Sequence, residues 1–251
     1  MRRVCILILQ TDGTNCDVET AEAFRMAGGE PETVHINALR AGSRRLADYQ
    51  IFVIPGGFSY GDHIAAGTVL AVELLTVLRE ELGQFVEHGR LVLGICNGFQ
   101  VLVRTGLLSS GRLGNMEASL ETNDCGYFVC RWVPLVIERS RSVFAGGMEG
   151  ETGELMIAHG EGKFFARDET LPRLEREGQV VFRYADAGAN PNGSLQEIAG
   201  ICDPTGRILG MMPHPERFVR STQHPNWRRM KRIKPWGLRL FENAVAYAAR
   251  G

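Results

Sequence analysis

The stretch that decides the fold reads Leu91-Val92-Leu93-Gly94-Ile95-Cys96-Asn97-Gly98. The apolar run at 91–93 is typical of a short strand buried on both faces. The glycines around Cys96 predict a sharp turn into a helix that begins near Gly98. A strand, a tight turn bearing a nucleophilic side chain and a helix together form a nucleophile elbow. This stretch therefore predicts an α/β architecture and one candidate reactive thiol, Cys96.

The alternation of strand and helix continues on both sides of this stretch. Apolar runs and helical spacing predict strands at 4–9, 34–36 and 51–54 and helices at 17–26, from about 65 to 88, and at 238–249. After about Gly111, strand-like runs at 127–137, 155–158, 179–184, 198–202 and 207–212 surround a short helix at 171–177. The turn Asp203-Pro204-Thr205-Gly206 predicts that the last two strands form a hairpin. We expect one domain over 1–251, with a mostly parallel sheet, helices on both faces and antiparallel additions.

Composition excludes several classes of function. The formal net charge is -1, so no global positive field attracts nucleic acid or an anionic membrane. No apolar run approaches the ~18 residues of a membrane span, and the first residues lead directly into a strand pattern without the longer apolar region of a signal peptide. The six cysteines are dispersed without a C-x-x-C pair, which predicts a reducing cytoplasmic location and no metal site.

One basic segment, from Trp227 to Trp236, leaves two interpretations open. Basic residues flanked by aromatic ones bind phosphate or nucleic acid in some proteins, but such runs are usually solvated surface. The near-neutral charge of the chain favours the second interpretation.

Cys96 on its own fits two roles equally well. At a helix N-terminus the dipole and the free N–H groups favour a thiolate, yet most free cysteines are small buried hydrophobic residues. The loop Pro55-Gly56-Gly57 follows another strand and could present bare N–H groups to a developing negative charge, or it could be an ordinary turn.

A rival elbow occurs at Gly57-Phe58-Ser59-Tyr60-Gly61 and would suggest a serine esterase of the α/β-hydrolase type. Pro55 and Gly56 separate it from the preceding strand, so Ser59 is expected in a loop rather than on the turn that leaves the strand. Ser59 is the weaker nucleophile candidate.

A thiol nucleophile needs a proton acceptor, and the candidates are His63, His159 and His214. His214 is the most constrained, because Pro213 precedes it and Pro215 restricts its backbone to extended conformations. Glu216 could hold one nitrogen of this imidazole and leave the other to face the thiol.

These residues resemble the class I glutamine amidotransferases of the Cys-His-Glu type. The likeness is carried by Gly94 to Gln100 and by Pro213-His214-Pro215-Glu216. Four further stretches are similar to the glutaminase subunits of phosphoribosylformylglycinamidine synthases, and the likeness extends to Arg217. They are Asp12 to Asp17, Ile54 to Asp62, Ala158-His159-Gly160-Glu161-Gly162 and Met211 to Arg217.

The resemblance implies a flavodoxin-like core and glutamine as the substrate. It assigns Cys96 as nucleophile, His214 as acid and base, and Glu216 as the group that orients His214. It also implies that Gly56, Gly57, Asn97, Gln100, His159 and Glu161 surround the oxyanion and the substrate. Cys16 and Asp62 are family-like positions for which a structural role is the default.

The resemblance also implies partners. Gly162-Lys163 is followed by Phe164 rather than Ser or Thr, and no G-x-G-x-x-G follows a strand, so this chain has no recognisable ATP site or other cofactor motif. ATP and Mg²⁺ are expected on a separate synthase subunit, with a small bridging subunit as a further possible partner. A subunit that only regulates or scaffolds would be expected to lack the nucleophile or the base, and both are present.

Two features depart from the family pattern. Thr14 stands where Ser is expected, and the segment from Val219 to Lys234 is longer and more basic than expected.

Overall fold

The computed structural model describes residues 3–62, 64–186, 188–229 and 234–250. Its strands are β1 (Cys5–Gln10), β2 (Glu30–His35), β3 (Ile51–Ile54), β4 (Leu91–Ile95), β5 (Ala118–Thr122), β6 (Val129–Ile137), β7 (Thr152–His159), β8 (Glu161–Ala166), β9 (Val180–Tyr184), β10 (Ile198–Cys202) and β11 (Ile208–Met211). Its α-helices are α1 (Asp17–Met26), α2 (Ile36–Arg40), α3 (Thr68–Thr76), α4 (Arg79–Glu87), α5 (Asn97–Thr105), α6 (Leu107–Ser110), α7 (Thr170–Arg176) and α8 (Gly237–Ala248).

A nine-stranded sheet in the order β2-β1-β3-β4-β11-β10-β9-β6-β7 organises the chain. The first five strands of that order are parallel. Their order, with β11 as the fifth strand, is that of a flavodoxin-like sheet. The last four strands are joined to one another and to β11 by antiparallel pairs, including the hairpin of β10 and β11. The predicted fold class and the predicted hairpin are confirmed.

Helices cover the parallel strands on both faces. Every residue of β3, β4 and β11 is buried, as the continuous apolar runs predict. α1 packs against α8, where Phe24 and Phe241 meet edge to face with ring centroids 4.9 Å apart. α3 packs against α5. No helix among the described residues is long and apolar enough to span a membrane.

The prediction of one long helix from about 65 to 88 is wrong. Residues 65–67 are a loop, and the remainder is divided into α3 and α4 at Leu78, whose backbone has φ -106° and ψ 9°. The apolar side chains continue at helical spacing through the break, because Leu74, Leu78 and Leu82 are all buried. Periodicity alone could not reveal this break, since each half packs against a different neighbour.

A second, two-stranded antiparallel sheet of β5 and β8 was not predicted. Its strand β8 follows β7 after one residue, Gly160, so the family-like stretch at 158–162 spans a tight link between two strands. The basic segment lies partly outside the described residues. Within it, Trp227 is 41% exposed and its ring stacks with Arg228, whereas Trp236 is buried.

Candidate active site

Four parallel strands end at the same edge of the sheet, and the residues that follow them form the candidate site. They are the loop 11–16 after β1, the loop 55–57 after β3, Cys96 after β4 and the stretch 212–216 after β11. Ligands of open α/β sheets bind in the crevice outside the carboxyl ends of the strands. The topology thus brings the sequence-predicted residues from four distant stretches to one place.

Cys96 lies on the strained turn that an elbow requires. Its backbone has φ 51° and ψ -105°, a region that non-glycine residues rarely adopt, and it immediately precedes α5. Its N–H donates to the carbonyl of Met211 at 2.8 Å, which ties the turn to β11. The thiol is 5% exposed, and its sulfur lies 3.5 Å from the carbonyl oxygen of Ala158.

Two glycines permit the close approach of strand and helix at this turn. A Cβ on Gly98 would lie 1.8 Å from the carbonyl oxygen of Ile54, and one on Gly94 would lie 2.5 Å from the carbonyl oxygen of Gly98. No side chain fits at either position without moving backbone.

His214 and Glu216 form a fully buried pair. Nδ1 of His214 lies 2.5 Å from Oε1 of Glu216, and the relative exposures of the two residues are 1% and 0%. The backbone of His214 is extended, as its proline neighbours predict, and its N–H donates to the carbonyl of Met156 in β7 at 2.8 Å. Nε2 of His214 has no hydrogen-bond partner among the described residues, so it is the nitrogen left for chemistry.

Charges around His214 favour its protonated form. Burial opposes a charge on the imidazole, but the carboxylate of Glu216 and then the sulfur of Cys96 outweigh it and raise the pKa of His214 well above its usual value. An imidazolium next to a thiol is the arrangement that stabilises a thiolate nucleophile.

Backbone N–H groups are available near Cys96. Asn97 is the first residue of α5, where N–H groups have no acceptor within the helix. Gly57, with φ 148°, adopts a conformation that favours glycine, and a Cβ there would lie 2.8 Å from the carbonyl oxygen of Gly13. Among the described residues, the N–H of Gly57 donates to no acceptor. The role of both positions as oxyanion donors stays a prediction.

Gly56 brings a second thiol to the imidazole. A Cβ on Gly56 would lie 2.8 Å from Cε1 of His214 and 3.0 Å from Sγ of Cys16. The carbonyl of Gly56 accepts from the N–H of Cys16 at 3.2 Å. Its missing side chain is therefore what allows these two groups to meet.

Gln100 and Glu161 belong to a buried network beside the nucleophile. The Oε1 atom of Gln100 accepts from Nδ2 of Asn97 at 3.0 Å, and its Nε2 donates to the carbonyl of Glu161 at 2.5 Å. The carboxylate of Glu161 accepts from the N–H of Ala66 at 3.1 Å. These contacts connect α5 to the loop before α3. Substrate contact by Gln100 and Glu161 stays a prediction.

His159 is a second buried imidazole close to the site. Burial, followed by the charge of His214, lowers the pKa of His159 to about 4, so the ring is neutral at physiological pH. Its Nδ1 lies 3.1 Å from Oδ1 of Asn123, whose Nδ2 donates to the carbonyls of Tyr127 and His159. The orientation of the Asn123 amide thus makes Nδ1 of His159 the donor.

The other candidates fare differently. Ser59 is buried, and its hydroxyl has no hydrogen-bond partner among the described residues, so no described base activates it. His63 lies outside the described residues.

Donor atoms of Cys16, His214 and Glu216 lie within 4.8 Å of one another, but Glu216 occupies Nδ1 of His214 and Arg217 donates to Cys16 at 3.2 Å. These contacts are those of an internal polar network rather than of a ligand set for a cation.

Comparison with known proteins agrees with this geometry. Residues 3–248 match the model of the CobB/CobQ-like glutamine amidotransferase domain. The chain belongs to this glutamine amidotransferase family. A curated member from Dehalococcoides mccartyi, a phosphoribosylformylglycinamidine synthase subunit PurQ, is 46% identical, and the alignment covers 99% of each chain. A subunit of the same name from Methanococcus maripaludis is 41% identical over 96% of each chain.

A solved structure of an amidotransferase relative has the same fold. The structure of PurLQS from Thermotoga maritima contains a chain that superposes with a TM-score of 0.78 and 32% identity over 98% of this chain and 99% of that one. A second glutamine amidotransferase from Thermotoga maritima, at 15% identity and a TM-score of 0.58, shares the fold. The predicted membership of the glutamine amidotransferases is confirmed.

Several residues of this amidotransferase site could not be found from the sequence. Asn123 contacts His159 from 36 residues away, and Arg217 contacts Cys16 from 201 residues away. Asn123 lies in a polar loop with no periodic pattern, so only the folded chain identifies its partner. For Arg217 the one available signal was its position directly after Glu216.

Proposed function

We propose that this chain is the glutaminase subunit of a phosphoribosylformylglycinamidine synthase. It hydrolyses L-glutamine to glutamate and ammonia and supplies the ammonia to an ATP-dependent synthase subunit, with a small bridging subunit as a further partner. The synthase then converts formylglycinamide ribonucleotide to its amidine. ATP and Mg²⁺ are assigned to the synthase subunit, and the cytoplasmic location stays a prediction. The near-complete alignment with curated synthase subunits supports this assignment.

One observation carries the chemical part of the proposal. A strained Cys96 at a helix N-terminus and a buried pair of His214 and Glu216 follow neighbouring strands of one sheet. A nucleophile, a base and a group that orients the base are the requirements for acyl transfer through a thioester.

The reaction begins with the thiolate of Cys96, whose proton is held by Nε2 of His214. The sulfur attacks the side-chain amide carbon of glutamine, and the resulting oxyanion accepts hydrogen bonds from the N–H groups of Gly57 and Asn97. His214 then donates its proton to the nitrogen, the carbon–nitrogen bond breaks and ammonia departs. A γ-glutamyl thioester remains on Cys96.

Water completes the cycle. Neutral His214 removes a proton from a water molecule as its oxygen attacks the thioester, the carbon–sulfur bond breaks and glutamate is released. Glu216 remains bound to Nδ1 throughout and fixes the ring so that Nε2 faces the reacting atoms.

The test measures glutamate release from glutamine with and without the synthase subunit, ATP and formylglycinamide ribonucleotide. Cys96→Ala is expected to lower this rate by about 10⁴-fold or more, because it removes the attacking atom. The matched control is Cys5→Ala, at the start of β1 and the opposite end of the sheet, with wild-type activity expected.

We expect the isolated chain to be a poor glutaminase that the complete complex stimulates. Ser59→Ala separates the proposal from the esterase alternative. Ester hydrolysis that depends on Ser59, without any glutaminase activity, would overturn the proposal, as would an active Cys96→Ala variant.

A further inference from the structure

The carboxylate of Glu216 is buried with few partners. It is 0% exposed, and its Oε2 has no hydrogen-bond partner among the described residues. Its Oε1 contacts Nδ1 of His214. A buried carboxylate stays ionised only when a nearby cation or several donors compensate for the lost hydration.

The compensation by His214 is intermittent. In the proposed function, on which this inference rests, His214 is positively charged before ammonia leaves and neutral before water attacks. In the neutral state, the pair of His214 and Glu216 carries a net charge of -1 inside the protein. A second cation close to Glu216 would therefore stabilise the pair during that half of the reaction.

Arg217 lies where such a cation would act. Its Nε lies 3.9 Å from Oε1 of Glu216, and its side chain is 27% exposed. Nη2 of Arg217 donates to Sγ of Cys16 at 3.2 Å. Cys16 is buried and directly precedes α1, and its own thiol donates to Oδ1 of Asn15 at 3.1 Å. The guanidinium is thus anchored at one end by a sulfur while its Nε side faces the carboxylate.

We propose that Arg217, anchored by Cys16, is a positioning residue that compensates the charge of Glu216 whenever His214 is neutral. Arg217 touches neither the nucleophile nor the base, and it acts through Glu216. This role also accounts for the contact of Arg217 with Cys16, a buried thiol that has no part in the proposed reaction.

The proposal fixes the direction of a pKa change. When the pair of His214 and Glu216 loses its proton, its net charge passes from 0 to -1. A cation favours the -1 state, so Arg217 lowers the pKa of the pair, and loss of its charge raises that pKa.

Other charged or titratable groups lie close to the pair on neighbouring elements, and they are the same in every sample that the test compares. Cys16 approaches the pair from the start of α1, Cys96 from the turn after β4 and His159 from β7, whereas Glu19 of α1 lies near Arg217. α8 packs against this turn through Gly237, which carries no charge.

The test follows the ring of His214 by ¹H–¹³C NMR through a pH titration of the full chain, with Cys96→Ala in every sample so that only the environment of Glu216 differs between them. Arg217→Gln is expected to raise the pKa of His214, and Arg217→Lys is expected to return it most of the way to the reference value. Arg217→Met, which keeps the length of the side chain without its charge, replaces the Gln variant if the latter does not fold.

The matched control is Arg220→Gln. Arg220 follows three residues later and binds Glu22 of α1 at 2.6 Å, so it also joins this segment to α1, but through a different carboxylate. The pKa of His214 is expected to be unchanged in this variant. An equal upward shift in Arg220→Gln would overturn the proposal, because the effect would then belong to any loss of positive charge on the segment.

Kinetics of variants that retain Cys96 give the second readout. Arg217→Gln is expected to lower kcat for glutamate release by about tenfold with little change in KM, since Glu216 and His214 act on the reacting atoms rather than on substrate binding. An unchanged or lowered pKa of His214 in Arg217→Gln, or equal behaviour of the Lys and Gln variants, would overturn the proposal. The NMR titration needs no turnover, so failure of this inference is distinguishable from absence of glutaminase activity.

Discussion

The two turns that carry the reactive groups are held in place by different means. The turn at Cys96 is held by backbone, through its hydrogen bond to Met211 and through the close contacts that Gly94 and Gly98 permit. The turn at 214–216 is held mostly from outside, by Met156 of β7 and by side chains that arrive from other elements. The glycines beside Cys96 therefore mark its turn in the sequence, whereas the electrostatic setting of the base depends on the assembled fold.

Among the variants that test this comparison, the largest effect is expected from removing the charge of Glu216 in the turn at 214–216. Glu216→Gln keeps the shape of the side chain but removes the charge that favours protonated His214 and the acceptor that fixes its ring. We expect kcat for glutamate release to fall about 10³-fold, because a misoriented imidazole disables both proton transfers.

The same variant makes a prediction about pH. Because Glu216 raises the pKa of His214, its replacement should lower that pKa. An NMR titration of His214 measures the change. An unchanged pKa in Glu216→Gln would show that the carboxylate does not control the base.

Breaking the Cys96 turn should affect the fold itself. Gly98→Ala places a methyl group 1.8 Å from the carbonyl oxygen of Ile54, so backbone must move. We expect the free energy of unfolding to fall by about 3 kcal/mol, within the range for overpacking a close contact. Urea denaturation measures this loss.

A helical glycine without a close neighbour is the control for that measurement. At Gly83 in α4, an added Cβ would meet only Leu113, at 3.8 Å. Gly83→Ala should raise the free energy of unfolding by about 0.5–1 kcal/mol. If both alanine variants were equally tolerated, close approach would not explain the glycine at position 98.

The smallest effect sharpens the comparison. Gln223 accepts from the N–H groups of Val219 and Arg220 at 2.7 Å, and its Nε2 donates to the carbonyl of Glu216 at 3.4 Å. Gln223→Leu removes this outside support, and we expect kcat to fall about threefold, since the bond to Glu216 is long.

Thr222→Ala is the control, because Thr222 is an exposed residue of the same 3-10 turn. Glutamate release at saturating glutamine compares the two variants. Equal rates in both would mean that the turn at 214–216 does not depend on Gln223.

The sequence predicted the parts of the fold that depend on local pattern. The buried parallel strands β1, β3, β4 and β11, the final hairpin and the elbow at Cys96 are local, because a buried strand and a glycine turn leave their signature within a few residues, whereas β2 was predicted only at its last two residues. The break at Leu78 escaped because burial continues across it. The pairing of β5 with β8 escaped because the partners are separated by more than 35 residues.

The same distinction between local pattern and distant contact applies to the residues of the candidate site. Proline neighbours made His214 recognisable, and Glu216 was near enough in sequence to be assigned as its partner. The contact of Arg217 with Cys16 and that of Asn123 with His159 depend on how distant elements pack, so no local pattern contained them.

The backbone conformation of Cys96 implies that the stability of the fold and the reactivity of the thiol place opposite demands on this position. A positive φ at a residue with a side chain costs on the order of 1–3 kcal/mol, and glycine is the residue that such a conformation suits best. The residue that would adopt this backbone conformation at the lowest energy is therefore glycine, which has no side chain to act as a nucleophile. The protein is therefore less stable than a variant with glycine at position 96 could be, because the nucleophile requires a side chain there.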